Sequence, residues 1–473
     1  MIIDEMGYFW WDDSIDSAVI APGHLIIDEN GSISLEMHGS LGDDSEFNAL
    51  FGQTSLNEKR IRGELKKSGK KILLTNIITN GATVGRISYA NYRPNRCYVS
   101  RSEIELDNLC GLHFPLTGLE GWFQPGKVEL SEPTHDRIDL TLDLSSGKKW
   151  MLDAGVLRLV TAFEGSRPSV TSHNINIGMR ARFEYIHNEI ISADALLDWS
   201  TDLSDFISLL SNSLYVSCHP SVIWENNGEI YSAECYFQQI TSPEKNINWH
   251  EVRLPLLRIE ADFGRLLQAW FNKKRSLGPG INLFLGAIKN QHLFAENRFV
   301  NMIWGLESLD RRSESSPRII ATDKLNKKSQ RVFQAINGKG ILKSKDKRWL
   351  LNLLERSQEP SLAERLNDVL SPIAAGFNIE PSRLRIFCEE CAHLRNDMSH
   401  HGGERTLGEY DAFILKLIPR MYALEKFYPL VIFDLIGIEN EQMVWIMHKN
   451  HRSFQMKKVL KNVGLLTDEQ FKY

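Results

Sequence analysis

Arg395-Asn396-Asp397-Met398-Ser399-His400 closes a helical pattern that stops at Gly402-Gly403. Imidazole has the side-chain pKa nearest neutrality, so it can take a proton from a ribose hydroxyl or return one, while a guanidinium stays charged and forks onto phosphate oxygens. Base and clamp are the two groups that metal-free cutting of RNA through its 2′-hydroxyl requires. Spacing alone is a weak signal: with 14 histidines in the chain, an Arg four to six residues ahead of one arises about once by accident. Arg182-Phe183-Glu184-Tyr185-Ile186-His187 is such an accident. It lies in an alternating aromatic and charged run that reads as a strand, with no Asn after the Arg and no Gly stop.

The elements that must position Arg395 and His400 are helices. From about Asp262 the apolar residues recur at helical spacing, with Asp262 as a cap and Phe263, Leu266, Leu267, Trp270 and Phe271 on one face. Further helices are predicted over 293–309, which places Phe294 on its apolar side, and over 319–336, 349–355, 362–370, 384–399 and 411–427. Pro419 should kink the last or shift its start. On a 3.6-residue turn Arg395 falls at the margin of the stripe made by Phe387 and Leu394, so it can face a cleft or a subunit interface. His400 would sit roughly 140° further round an ideal helix, so the two converge only if the helix ends or distorts near Ser399, or if a second subunit supplies one of them.

The first half follows a different grammar. Short alternating runs are punctuated by Gly, Asn, Asp and Ser, as in 21–37 around Asn30-Gly31, 70–79 before Asn80-Gly81, 138–144 and 180–186. Asn-Gly favours tight hairpins, so an antiparallel sandwich or barrel is predicted, interrupted by one helix over about 193–210. At 473 residues two or three domains are expected, since a single core rarely serves more than roughly 100 to 200 residues. The boundary is set in the polar stretch 242–248, giving a β-rich region 1–249 and a helical region 250–473 that includes a C-terminal extension. The fold class is α+β multidomain.

Composition narrows the function. With 42% hydrophobic and 24% charged residues the chain is an ordinary globular protein, and a net charge of -5 leaves any nucleic-acid contact to local patches. The densest basic stretch holds Lys324, Lys327, Lys328 and Arg331, followed by Lys339, Lys343, Lys345, Lys347 and Arg348; it can track an RNA backbone or simply be a solvated face. The acidic start Met1–Met6 lacks a signal peptide's pattern and no apolar run reaches spanning length, which predicts a cytoplasmic protein without membrane contact. Six scattered cysteines predict reduced thiols; Cys388 and Cys391 have redox or zinc spacing, but no second pair accompanies them. No metal or cofactor is called for. The plain alternative for Arg395 and His400 is a surface guanidinium beside a carboxylate and an imidazole at a helix C-terminus.

Arg395-Asn396-Asp397-Met398-Ser399-His400-His401-Gly402, with Asn297-Arg298-Phe299-Val300-Asn301-Met302-Ile303-Trp304-Gly305-Leu306-Glu307-Ser308-Leu309 on an earlier helix, resembles a HEPN domain of the ApeA type. Gly7-Tyr8-Phe9-Trp10 followed by Pro22-Gly23-His24-Leu25 is similar to the opening of the ApeA N-terminal domain. The resemblance implies a metal-independent endoribonuclease of prokaryotic antiphage defence, acting by abortive infection. It implies pairing through the helical domains into a homodimer or higher oligomer, RNA as substrate with tRNA a candidate, and a phage-derived trigger. His400 would act as general base or acid, Arg395 as phosphate clamp and Asn396 as an orienting group, with Glu307 a candidate to orient Arg395. The competing readings are a catalytically silent RNA- or protein-binding module and a β-sandwich recognition protein with a helical oligomerisation domain.

Overall fold

The computed structural model describes the chain except residues 1, 13–18, 40, 42–54, 57–58, 84–88, 125, 132–138, 145, 166–176, 214–218, 239–248, 291, 313–329, 338–342, 357–359, 404–407 and 472–473. It divides into two compact units, Met1–Arg265 and Leu266–Tyr473. The polar stretch 242–248 lies outside the described residues, and the segment that follows it belongs to the first unit: Trp122 Nε1 donates to the Leu254 carbonyl at 2.9 Å and Trp150 Nε1 to that of Glu260 at 2.9 Å.

The first unit is antiparallel throughout. β1 (Ile3–Trp11), β2 (Ala21–Ile27), β3 (Ile33–His38), β4 (Ser55–Leu56), β5 (Ile61–Leu65), β6 (Lys71–Thr83) and β7 (Tyr89–Ser100) come first in the chain. The pairing order β7-β3-β2-β1-β5-β6, closed by β6 on β7, makes a barrel of six strands with β4 on its β6 edge. Alternation sends Phe9, Leu25, Leu35, Met37, Ile61, Leu74 and Cys97 inward. The residues that resemble the ApeA opening meet here, since Gly7 pairs with Gly23 and Phe9 with Gly63. A Cβ on Gly63 would stand 2.3 Å from the Phe9 ring. The missing side chains make the pocket that ring fills.

From β7 the sheet runs outward as an open extension, in the order β15 (Glu229–Phe237), β14 (Ser221–Asn226), β8 (Leu109–Phe114), β13 (Ile177–His187), β12 (Gly155–Gly165) and β11 (Lys148–Leu152). A separate hairpin pairs β9 (Gly126–Leu130) with β10 (Leu140–Leu144). Between these strands lie α1 (Leu119–Phe123) and α2 (Ala193–Ser211), the latter capped by Ser192 and stacking Trp199 on Tyr185 with centroids 3.9 Å apart. Asn30-Gly31 forms the predicted hairpin, with the Asp28 carboxylate accepting from the amides of Asn30 and Ser32. Asn80-Gly81 does not. It sits inside β6 as an irregularity between Thr79 and Ala82, where Gly81 takes a φ of 94°, so its left-handed residue serves a bulge in a long strand rather than a chain reversal.

The second unit is helical: α3 (Phe263–Lys289), which begins just ahead of it, α4 (Ala295–Arg312), α5 (Ser344–Arg356), α6 (Leu362–Gly376), α7 (Pro381–His401), α8 (Tyr410–Leu435), α9 (Asn440–Val444), α10 (Ser453–Asn462) and α11 (Asp468–Phe471). Of the helix expected over 319–336, residues 319–329 lie outside the described residues and 330–337 are helical. Asp262 accepts from Arg265 Nε at 3.1 Å. Phe294 is 75% exposed and precedes α4 rather than joining its buried stripe of Phe299, Met302, Ile303, Leu306 and Leu309. Pro419 and Pro429 both lie inside α8, whose start is not displaced. Pro419 deprives the Leu415 carbonyl of its amide, but Leu415 is exposed, and the next carbonyl, of Lys416, accepts from Arg420 Nη1 at 2.7 Å.

Three helices are locked where side chains are smallest. On α4 a Cβ added to Gly305 would lie 2.1 Å from Tyr428 Oη and 3.0 Å from the Gly280 carbonyl. Tyr428, from α8, donates to that same carbonyl on α3 at 2.6 Å. Buried Arg365 of α6 donates to Asp310 of α4 at 3.0 Å, and Arg420 of α8 holds Glu390 of α7 through Nη2 at 2.6 Å. Among the described residues no helix is long and apolar enough to cross a membrane.

Candidate active site

α7 carries the whole Arg395-to-His400 motif. Pro381 at its first turn suits a position that needs no amide donor, and Gly402, at φ 76°, ends it by donating its amide to the Met398 carbonyl at 3.1 Å. Leu384, Phe387, Cys388, Cys391, Ala392 and Leu394 are buried along the core face. The helix is unbroken to His401, so Ser399 marks neither an end nor a distortion. Arg395 and His400 therefore remain roughly 140° apart around one axis. Arg395 is half-buried and His400 exposed. One chain does not converge them.

Arg395 is held without a counter-charge. Its Nη1 donates to the Asn396 side-chain oxygen at 3.1 Å, its Cζ lies 6.0 Å from the centre of the Trp304 ring on α4, and its buried Nε has no partner. Among the described residues no carboxylate bonds it. Four arginines of this unit differ: Arg298 pairs with Glu425, Arg311 with Glu307, Arg365 with Asp310, Arg420 with Glu390. An unpaired buried N–H costs roughly 1–3 kcal/mol, and a cation over an exposed indole returns about 0.5–1 kcal/mol. Among the described residues no anion completes the contacts of this guanidinium.

Glu307, expected as the group that orients Arg395, accepts from Arg311 Nη2 at 3.0 Å and Nε at 3.2 Å. A partner four residues along the same helix needs no tertiary closure, and it wins the carboxylate. Trp304 takes the place against Arg395. The sequence carried a signal for it, since a Trp between the buried positions Ile303 and Leu306, yet 43% exposed, falls on the polar side of an amphipathic helix. His393 and His401 are exposed on α7.

The rival motif is excluded by strand geometry. Arg182 and His187 both lie on β13, five residues apart, and so project to opposite faces; Arg182 pairs with Glu184 at 2.9 Å. Cys388 and Cys391 are buried, with desolvation pushing the Cys388 thiol up to about 12 and that of Cys391 well above its ordinary value. They are packing groups. In the basic stretch Lys324, Lys327, Lys328 and Lys339 lie outside the described residues, while Arg331, Lys343, Lys345 and Arg348 are exposed. The first unit has a concave charged region of its own, about 500 Å³ between Asp12, Arg60, Arg62 and Asp107. There the charges answer one another: Arg62 pairs with Asp12 and with Glu103, and Arg60 with Asp107.

A strand-rich unit followed by a helical bundle, with Arg-Asn-x-x-x-His closing the bundle's long helix, defines a class of two-part proteins built on a HEPN-type domain. The chain belongs to the ApeA family: residues 5–270 match the ApeA N-terminal domain 1 and residues 300–442 the Apea-like HEPN domain. No curated protein and no solved structure matches it. The HEPN match supports a nuclease of the kind associated with antiphage defence.

Proposed function

We propose that this protein is a metal-independent endoribonuclease of antiphage defence, acting by abortive infection, in which Arg395 clamps the scissile phosphate and His400 moves the proton. The observation that carries this reading is the half-buried Arg395, which no carboxylate meets among the described residues, on the same helix as an exposed His400. The ribose 2′-hydroxyl attacks the adjacent phosphorus, its proton passing to an imidazole. The bond to the 5′-oxygen of the next nucleotide breaks, and a protonated imidazole returns a proton to that leaving oxygen. The ends are a 2′,3′-cyclic phosphate and a 5′-hydroxyl; DNA, lacking the nucleophile, survives. Charge building on the non-bridging oxygens is what the guanidinium stabilises.

Because an unbroken α7 keeps Arg395 and His400 apart, the working site is completed by a second copy, each chain giving its guanidinium to the other's imidazole. Asn396 fixes the guanidinium's plane through its 3.1 Å contact. The exposed cations Arg331, Lys343, Lys345 and Arg348, with Lys324, Lys327 and Lys328, extend the phosphate track. The strand-rich unit restrains the nuclease until a phage-derived trigger arrives, and tRNA is the substrate to test first.

The test is incubation of wild-type and His400→Ala protein with total cellular RNA in EDTA, followed by analysis of fragment ends. Cutting by wild type alone, with cyclic phosphate ends, is expected. Cutting by both removes His400 from the mechanism. RNA binding without cutting, in the presence of phage extract, turns the reading to a silent binding module. Mixing Arg395→Ala with His400→Ala restores activity only if the site is shared between chains, because the mixed dimer then holds one intact pair.

A further inference from the structure

Trp304 is out of place as a packing residue. Phe299, Met302, Ile303 and Leu306 of the same helix are at most 0% exposed, whereas Trp304 is 43% exposed. Its backbone is nonetheless closely packed, since the next residue, Gly305, lies against Gly280 and Tyr428. A rigidly mounted indole thus presents an open aromatic surface while contacting the guanidinium of Arg395, Cζ 6.0 Å from its centre.

A flat apolar surface beside a cation that no carboxylate meets among the described residues matches the two chemically distinct parts of a nucleotide in a single strand. Phosphate is drawn to the guanidinium, and the neighbouring base, if unstacked, can lie on the ring; such platforms accept any base because every base has a π-face. In a duplex the bases are covered by their neighbours, so only loops, bulges and single strands can use the surface. Asn396 already occupies Nη1 of Arg395, which leaves the other terminal nitrogen to reach a phosphate oxygen while the plane stays fixed. We propose that Trp304 and Arg395 form a nucleotide subsite in which the indole stacks an unpaired base next to the phosphate held by the guanidinium. This rests on the reading of Arg395 as a phosphate clamp, and it restricts the substrate to single-stranded RNA at the point of cutting.

The experiment measures binding of the full-length protein to a fluorescent 2′-O-methyl single-stranded oligonucleotide, which cannot be cut, and to the same oligonucleotide with abasic positions throughout. Trp304→Leu should weaken the intact probe about tenfold, the low end of what one base stack contributes. Trp304→Phe, which keeps a ring, should retain most of the affinity, and both variants should melt with the wild type because the side chain is exposed. On the abasic probe wild type and Trp304→Leu should bind equally. The salt dependence should be the same for Trp304→Leu as for wild type but shallower for Arg395→Ala, by about 0.7 in log-log slope for one phosphate contact on a single strand. Equal binding of the intact probe by wild type and Trp304→Leu overturns the subsite. So does an equal loss on both probes, which would make Trp304 a support for Arg395 and nothing more. Since the probe is not cut, these affinities stand or fall independently of whether His400→Ala abolishes cleavage.

Discussion

Two charged regions of this molecule differ in who answers their charges. In the cleft of the strand-rich unit Arg62 and Arg60 meet Asp12, Glu103 and Asp107, and Asn226 reaches Glu105 at 3.0 Å. At the end of α7 the guanidinium of Arg395 meets an amide oxygen, an indole and no carboxylate among the described residues, while an imidazole stands exposed five residues on. A self-satisfied cluster is part of the fold, whereas a charge that no described residue answers, at some cost in stability, is where the proposed function looks for a ligand.

The contrast is sharpest between two arginines of the helical unit. Arg365→Ala takes away the ion pair that Arg365 makes with the buried Asp310 at 3.0 Å, and should cost about 3–5 kcal/mol in urea unfolding. Arg395→Ala removes an unsatisfied N–H together with its cation–π contact, and should shift stability by less than about 1 kcal/mol. Its effect should fall on cleavage instead, by about 10²–10³ in rate, as for loss of one oxyanion donor. If Arg395→Ala unfolds the protein as readily as Arg365→Ala, the comparison fails. Gly305→Ala comes next: it drives a methyl into Tyr428 Oη and the Gly280 carbonyl, and should cost about 1–3 kcal/mol by overpacking, read as a lower urea midpoint.

The thiols give a pH test of smaller size. Burial pushes Cys388 up to about 12, well above an unfolded thiol at about 8.5. The buried neutral thiol therefore contributes fully below that unfolded value, and the contribution is lost as pH climbs from there through the folded value. Stability should fall on alkaline titration, less steeply in Cys388→Ala, and iodoacetamide at pH 8 should label neither Cys388 nor Cys391 until the protein unfolds. Smallest of all is Asp107→Asn: the carboxylate is 82% exposed and 3.4 Å from Arg60, so the melting temperature should move by no more than about 1 kcal/mol implies.

How much of this could be read beforehand depended on how local the cause was. Asn30-Gly31 acts within a few residues and the hairpin it announces is present, as is the helix read over about 193–210, whose cap Ser192 acts just as locally. Closure of the barrel was not legible, because it needs β7 to pair with both β3 and β6 while also leading into the open sheet, a fact written in no single stretch. Asn80-Gly81 misled for the same reason, since a long-range partner strand turned its signal into a bulge. At the site, the placing of Arg395 on the margin of the α7 stripe followed from helical period alone. That Glu307 answers Arg311, and that Trp304 stands against Arg395, depended on how α4 and α7 cross.

The wedge of Gly305 against Gly280 and Tyr428 also divides the site in time. Amides around Ile303 and Leu306, both fully buried beside Gly305, should exchange with deuterium only when the whole unit opens, whereas the last turn of α7, which carries His400, can fray and exchange by local opening. The helix end that carries His400 keeps a faster clock.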